Sequence, residues 1–392
     1  MDSMEKIKIP IGVSICVDDV GWLEGEDQRI FGGPARTAIP RRHHPSDVLV
    51  LQKIAKGLGT KILCDLVLGE WDINNRLRRA PYLTWGTGEW DAAAKLDMKL
   101  AEAYFSALED SDCLEYGMHT PTHGYYEPGR QISGCCIYPF VRKNAQGVTV
   151  REALPDDQLE EVFSLFYEIY ADWGFKKKIE AWQTPCGGTG LPESDYNRRI
   201  ARMAKRYGIG LWEWAGWPKT VTVEEDMIFL SVVLGGFVPW NACAVDPTLL
   251  ANCFEVGPRP GIRPNICGHL TNFIQFQVEK NFEYADAWID YFRRVTSPFG
   301  VMMARDNVDS ASQAIYAEYS TLDKVDGGYR IDLAGADAVR TDLVKDEFFL
   351  SLRGGDIPRA VAGGSLTVHE TRGDHTIYKI TRDGAPTVTL TM

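Results

Sequence analysis

Two histidines four residues apart, His119 and His123, follow a short strand-like segment. Neutral imidazole is the commonest protein ligand of zinc-like ions, and this spacing can aim two rings at one point. Thr120 is suited to cap a helix whose first residue is Pro121, which would hold both rings near a helix start. The pair predicts part of a metal site, although two histidines at this spacing also arise by chance.

Two adjacent acids, Asp18 and Asp19, end an apolar run over residues 9–17 that is rich in β-branched side chains. Such a run predicts a strand buried on both faces, as in a parallel sheet. The carboxyl ends of these strands are where α/β folds build active sites. The alternative is a helix cap or a turn, because Asp is favoured at both. His269 ends another apolar segment in the same way.

Strand-like segments alternate with amphipathic helical segments as far as residue 305, which predicts six or seven β/α units in a barrel or an open parallel sheet. Strands are expected at residues 9–17, 61–68, 113–118, 179–183, 209–214, 228–234, 264–269 and 300–304. Helices are expected at residues 46–58, 89–108, 156–173, 193–207 and 279–295.

From residue 321 the pattern changes to short segments of alternating apolar and polar residues bounded by glycines, which predicts antiparallel β structure. We therefore predict two domains: an α/β barrel over residues 1–315 and a β-sandwich-like domain over residues 316–392. Carbohydrate binding and subunit contact are alternatives for the second domain. We favour a structural role because no ligand-like chemistry is visible there.

The composition of the 392 residues, with 45% hydrophobic and 24% charged, is that of a globular protein. A net charge of −12 argues against nucleic acid, whose phosphates require clustered Lys and Arg. The sequence shows neither a signal peptide nor an apolar run of the ~18 residues that span a bilayer. Nine cysteines without a C-x-x-C pair indicate a reduced, cytoplasmic protein. The oligomeric state, a homo-oligomer included, is left open.

Taken together, the strand ends resemble the polysaccharide deacetylase superfamily, the NodB-homology group of metal-dependent carbohydrate esterases. The resemblance covers about residues 9–305. The family motif T-F-D-D-G resembles residues 16–20, with glycine one place later, and H-[ST]-x-x-H resembles residues 119–123. The motif R-x-P-Y-G is matched in part by residues 183–187. The aromatic and acidic fourth motif resembles residues 211–214, and the apolar strand ending in histidine resembles residues 265–269.

The resemblance implies a barrel of about seven strands, the NodB-like deacetylase barrel. It also implies that Asp19, His119 and His123 bind one divalent metal ion, with zinc expected and cobalt, nickel or iron as alternatives. Asp18 would be the general base and His269 the general acid. One carboxylate and two imidazoles leave positions for water and a substrate carbonyl oxygen.

The chain departs from the family in its third motif, where Gln183 replaces an arginine and Cys186 replaces a tyrosine. Glutamine supplies neither a fixed positive charge nor a two-pronged donor. Aromatic faces near the strand ends could stack against sugar rings. The residues predicted to bind substrate are Gln183, Pro185, Cys186, Trp212, Trp214 and Tyr125.

These observations lead to three hypotheses. The first is a metal-dependent hydrolase that removes an N- or O-acetyl group from a small carbohydrate or sugar-like substrate, with no membrane partner. The second is an amidohydrolase that acts on a non-carbohydrate C–N bond. The third is a carbohydrate-binding protein that has lost catalysis.

Overall fold

The computed structural model describes residues 6–24, 39, 41–84, 90–128, 130–143, 149–185, 194–215, 219–233, 264–354 and 357–392. The strands are β1 (Ile7–Lys8), β2 (Ile11–Val20), β3 (Ile62–Val67), β4 (Leu114–Thr120), β5 (Tyr125–Glu127), β6 (Arg130–Ser133), β7 (Phe140–Lys143), β8 (Thr149–Glu152), β9 (Ile179–Gln183), β10 (Leu211–Ala215), β11 (Val221–Glu224), β12 (Met227–Val233), β13 (Asn265–His269), β14 (Val301–Met303), β15 (Thr321–Val325), β16 (Gly328–Asp332), β17 (Glu347–Arg353), β18 (Ala360–Ala362), β19 (Gly364–Arg372), β20 (His375–Arg382) and β21 (Thr387–Thr391).

The α-helices are α1 (Pro45–Leu58), α2 (Ala92–Lys95), α3 (Met98–Glu109), α4 (Asp156–Asp172), α5 (Asp195–Arg206), α6 (Leu270–Phe273), α7 (Ala285–Thr296), α8 (Asn307–Tyr319) and α9 (Ala334–Ala338). Short 3₁₀ helices lie at Gly69–Trp71, Arg76–Arg79, Pro81–Leu83 and Val278–Lys280. Among the described residues, none of the helices combines the length and the apolar composition needed to cross a bilayer.

Seven parallel strands form a closed barrel in the order β10-β9-β4-β3-β2-β13-β12, and β12 pairs back with β10. Every residue of β2 after Ile11 is buried, as is every residue of β3, because helices cover the outside of the barrel and side chains fill its inside. The predicted barrel of about seven strands is confirmed. β14 lies outside this ring and pairs with only the first three residues of β2.

Two four-stranded sheets follow the barrel, in the orders β1-β17-β20-β19 and β15-β16-β21-β18, and their pairings are antiparallel. The predicted C-terminal antiparallel β domain is therefore present. Its first sheet also takes β1 from the other end of the chain, which no local pattern indicates.

Helix α8 joins the barrel to the two sheets. Its Gln313 side chain donates to Pro10 O (2.8 Å) and to Phe349 O (3.1 Å) and accepts from Phe349 N (2.8 Å). The predicted domain boundary at residue 315 falls inside this helix, and the division into two domains remains a prediction.

Two predicted helices are shorter than expected. The helix predicted over residues 89–108 is divided into α2 and α3, because Asp97 caps α3 by accepting from Leu100 N (3.1 Å) and so ends the preceding element. The helix predicted from residue 279 begins at Ala285, after a 3₁₀ turn.

Candidate active site

Asp18 and Asp19 lie where β2 departs from regular geometry. The pairing of β2 with β3 shifts in register between Val17 and Val20, and Asp19 has a positive φ of 63°. In a regular strand, neighbouring side chains point to opposite faces, whereas a bulge can re-aim one of them. Both carboxyls consequently lie in the buried end of the barrel, with 4% and 5% of their surface exposed.

His119 and His123 lie at the end of β4. Thr120 ends the strand with a φ of 111°, and its hydroxyl donates to Thr122 O (2.7 Å). Residues 121–123 form a bend, so the helix predicted to start at Pro121 is wrong. This bend nevertheless brings the two imidazole rings together, with centroids 5.2 Å apart.

Asp19, His119 and His123 form one cluster. Each side chain offers a ligand atom, and these atoms all lie within 4.8 Å of one another. His119 Nε2 lies 3.8 Å from Asp19 Oδ1, and Trp22 Nε1 donates to the same oxygen (3.4 Å). Two strands from different parts of the chain, β2 and β4, thus bring the three predicted metal ligands to one point.

Backbone carbonyls set the tautomers of both histidines. His119 Nδ1 lies 2.8 Å from Gln183 O, and His123 Nδ1 lies 2.5 Å from Gly134 O. A carbonyl oxygen only accepts, so Nδ1 carries the proton in each ring and Nε2 keeps its lone pair. Ligating histidines are typically oriented in this way, and the donor set therefore fits a divalent metal ion.

His269, the predicted general acid, ends β13. It is the register partner of Asp18 across the β13–β2 pairing, so the two side chains emerge on the same face of neighbouring parallel strands. Its backbone N–H donates to Asn272 Oδ1 (2.8 Å), and the residue is partly exposed. The structure therefore places His269 beside Asp18 at the carboxyl end of the barrel.

Two further acids, Asp65 on β3 and Glu213 on β10, were not among the predicted site residues. Both are fully buried, and a carboxyl oxygen of each lies within 4.8 Å of Cys16 Sγ. Burial raises the pKa of Asp65 well above its usual value, and repulsion from Glu213 and Asp18 adds to the effect. Burial also raises the pKa of Glu213 to about 8. The signal that could have found Asp65 is a single charge inside an apolar strand.

Three of the predicted substrate-binding residues, Gln183, Pro185 and Tyr125, are described first. Gln183 is fully buried at the end of β9, opposite Glu213 of β10 in register. Pro185 is also buried near the end of β9, and Tyr125 is partly exposed and stacks on Tyr82 with ring centroids 5.3 Å apart.

Trp212 has a different position from the one expected for a ligand-binding residue. It is fully buried and stacks on Trp182 with a centroid distance of 4.5 Å, so the structure places it in the hydrophobic core. Trp214 lies in β10, and Cys186 lies outside the described residues.

No protein-family model and no curated protein sequence matches the chain. Among solved structures, the crystal structure of an endogalactoceramidase is similar, with 11% sequence identity and a TM-score of 0.27. The match covers 98% of this chain and 96% of that chain. A similarity at this level carries no statement about function, so the case for an active site is made by the geometry of the site.

Proposed function

We propose that this protein is a metal-dependent hydrolase that removes an acyl group, chiefly N- or O-acetyl, from a carbohydrate or sugar-like substrate. The observation that carries the proposal is the cluster of Asp19, His119 and His123, with both imidazoles held through Nδ1 by backbone carbonyls. The resemblance to polysaccharide deacetylases supplies the reaction and the substrate class.

Asp19, His119 and His123 would hold the metal ion. Nitrogen and oxygen ligands in this combination suit zinc, and they also accept cobalt, nickel or iron. When bound, a divalent ion acidifies water and polarises a substrate carbonyl oxygen.

Asp18 and His269 would move the protons of the reaction. Asp18, next to the ligand Asp19, accepts the proton that the attacking water loses. His269, its register partner, donates a proton to the departing nitrogen or oxygen. Two strand ends thus supply a base and an acid to one bond.

Gln183 favours an amide over an ester as the bond that is cleaved. Among the residues that the structure describes, neither its Oε1 nor its Nε2 has a hydrogen-bond partner, although the side chain is fully buried. One acceptor and one donor match the N–H and C=O of an amide, and leaving them unpaired is costly. The same match would serve a non-carbohydrate amide, so an amidohydrolase is the second candidate.

The test combines metal analysis with acetate release from a panel of N-acetylated sugars, O-acetylated sugars and simple acetamides. We expect one metal ion per chain, loss of that ion in His119→Ala, and an Asp18→Asn variant that keeps the ion without turnover. His369→Ala, which removes an exposed histidine of β19, is the matched control. Metal loss in that control, or an active Asp18→Asn variant, would contradict the assignment.

A further inference from the structure

The interior of the barrel holds a second group of potential metal ligands, which shares no residue with the cluster of Asp19 and the two histidines. It consists of Cys16 on β2, Asp65 on β3 and Glu213 on β10, all fully buried. One ligand atom from each of them lies within 4.8 Å of the other two. Barrel interiors are normally filled by branched apolar side chains, so a thiol and two carboxyls that converge there are an exception.

The oxygen atoms of this group lack hydrogen-bond donors. Within the part of the chain that the structure describes, neither carboxyl oxygen of Asp65 accepts a hydrogen bond, and Oε2 of Glu213 accepts none. The side-chain oxygen of Asn265, a neutral residue whose Nδ2 contacts Glu213, is equally unpartnered and fully buried. Buried acceptors without a donor are costly, and buried charges are tolerated when they are paired or coordinate a metal ion. One cation can satisfy several of these oxygens at once.

Both carboxyls are fixed in place by their neighbours. Oε1 of Glu213 accepts from Asn265 Nδ2, which also donates to Asn307 Oδ1 (3.2 Å), so Oε2 is the oxygen that remains for an ion. Asp65 and Gly117 are register partners, and a Cβ at residue 117 would lie 2.0 Å from Asp65 Oδ1. Glycine therefore leaves the space that this carboxyl occupies. Ligating carboxylates in metal sites are typically held by outer partners in this way.

We propose that Cys16, Asp65 and Glu213 bind a second divalent metal ion inside the barrel, with Asn265 Oδ1 as a further oxygen ligand. We call these residues the barrel site. A sulfur ligand favours zinc over magnesium or calcium, which take oxygen ligands. The ion is enclosed by protein on all sides, as in structural zinc sites, so its role is to join three strands and to supply the positive charge that the buried carboxyls lack.

Cys267 is the alternative sulfur ligand. It is the register partner of Cys16, and Cys16, Asp18 and Cys267 also have ligand atoms within 4.8 Å of one another. An ion held there would occupy Asp18. The barrel site is favoured because it gathers the unpartnered oxygens of two different strands, and a Cys267→Ser variant distinguishes the two arrangements.

The experiment uses cobalt(II) as the probe. A thiolate ligand gives cobalt(II) an intense near-ultraviolet charge-transfer band that nitrogen and oxygen ligands do not give, and Asp19 and the two histidines provide no sulfur. Cobalt is added in excess with a thiol-free reductant at mildly alkaline pH, because protons compete with metal ions for thiolates. We expect loading to raise the metal content from the one ion of the proposed function to about two ions per chain, together with the band.

Four variants test the ligands. Cys16→Ser should lose the band and return to about one ion per chain, since its hydroxyl is a poor substitute for a thiolate. Asp65→Asn should weaken cobalt binding at the barrel site at least about tenfold. Cys267→Ser should keep the band. The matched control is Cys64→Ser, which changes an equally buried cysteine of β3 that lies in the outer hydrophobic core, and it should keep both the band and the second ion.

The variant His119→Ala separates this proposal from the proposed function. It should lose the ion of the active site and keep the charge-transfer band. A band in this variant, with no acetate release from any substrate by the wild type, would refute the proposed function and leave the barrel site in place. An active wild-type enzyme that takes up no second ion would refute the barrel site alone.

Three other results would also overturn the proposal. The first is a band that survives in Cys16→Ser, which would place the sulfur ligand elsewhere. The second is a band that is lost in Cys267→Ser while Asp65→Asn binds cobalt as the wild type does, which would place the ion beside Asp18. The third is loss of the band in Cys64→Ser, which would show that it reports on the packing of the barrel rather than on a ligand.

Discussion

Gly117 and Asp65 face each other across β4 and β3 so closely that a Cβ on Gly117 would lie 2.0 Å from Asp65 Oδ1. This contact joins two strands whose ends carry His119 and the turn after β3. It also sets the position of a carboxyl that has an oxygen within 4.8 Å of ligand atoms of Cys16 and Glu213. A change of one methyl group at residue 117 should therefore affect both stability and turnover.

We expect Gly117→Ala to lower the free energy of unfolding by about 1–3 kcal/mol, because overpacking a buried contact forces side chains or backbone to shift. It should also lower kcat, since a shift of β4 at residue 117 would displace His119, which lies two residues further along the same strand. Urea unfolding and steady-state kinetics measure the two effects. The control is Gly210→Ala, in which the new Cβ would lie 2.6 Å from a terminal methyl group of Leu343. This contact can be relieved because the Leu343 side chain is flexible and can rotate away. Equal loss of kcat in both variants would contradict the role of the contact.

Trp22 should strengthen metal binding through Asp19. Its indole N–H donates to Asp19 Oδ1, so Trp22→Phe should weaken metal affinity about tenfold, the lower end of the effect of removing a residue that orients a ligand. Competition with a chromophoric chelator measures this affinity. Trp90→Phe is the matched control, because that indole donates to Asp72 (2.9 Å), away from the metal ligands. Unchanged affinity in Trp22→Phe would show that the bond does not orient Asp19.

Glu70 should make stability depend on pH. It is buried and accepts from Leu23 N (2.6 Å) and Glu24 N (3.1 Å), and burial raises its pKa from 4.5 to about 8. Between about pH 4.5 and about pH 8, the folded state keeps a proton on Glu70 that the unfolded state has released. The free energy of unfolding therefore falls as the pH rises through this range.

Glu70→Gln should lessen this fall in the free energy of unfolding by at least about 1 kcal/mol between about pH 5 and about pH 9. Urea titrations across that range measure the change. Glu102→Gln, at an exposed position of α3, should keep the wild-type dependence. Parallel curves for Glu70→Gln and the wild type would show that Glu70 is charged in the folded protein.

The loss of kcat on replacing His269 should be larger for substrates with poorer leaving groups. For an amide substrate, His269→Gln should lower kcat by about 10²- to 10⁴-fold, because the departing nitrogen needs a proton. For an activated aryl acetate, whose leaving group departs without a proton, the loss should be small. Kinetics on both substrate types at unchanged metal content provide the test. A loss of the same size on both would remove His269 from the role of general acid.

The sequence was enough to locate most barrel strands. The runs over residues 9–17 and 61–68 are mostly apolar, with Asp65 as an exception in the second, because strands of a closed parallel barrel are buried on both faces. Asp18, Asp19 and His269 were recognisable because they are polar residues that directly follow apolar runs, at the strand ends where α/β folds build active sites. The resemblance then assigned them roles, and these roles stay predictions.

The tertiary structure decided which side chains share the site. Trp212 and Glu213 are neighbours in sequence, yet strand alternation puts the aromatic ring in the outer core and the carboxyl inside the barrel. Thr120 looked like a helix cap, but its backbone makes a bend that aims His123 at Asp19. The closure of the barrel through β10 and β12 and the cluster of Cys16, Asp65 and Glu213 join segments far apart in the chain. Local patterns carry no information on such contacts, because they exist only once the strands have paired.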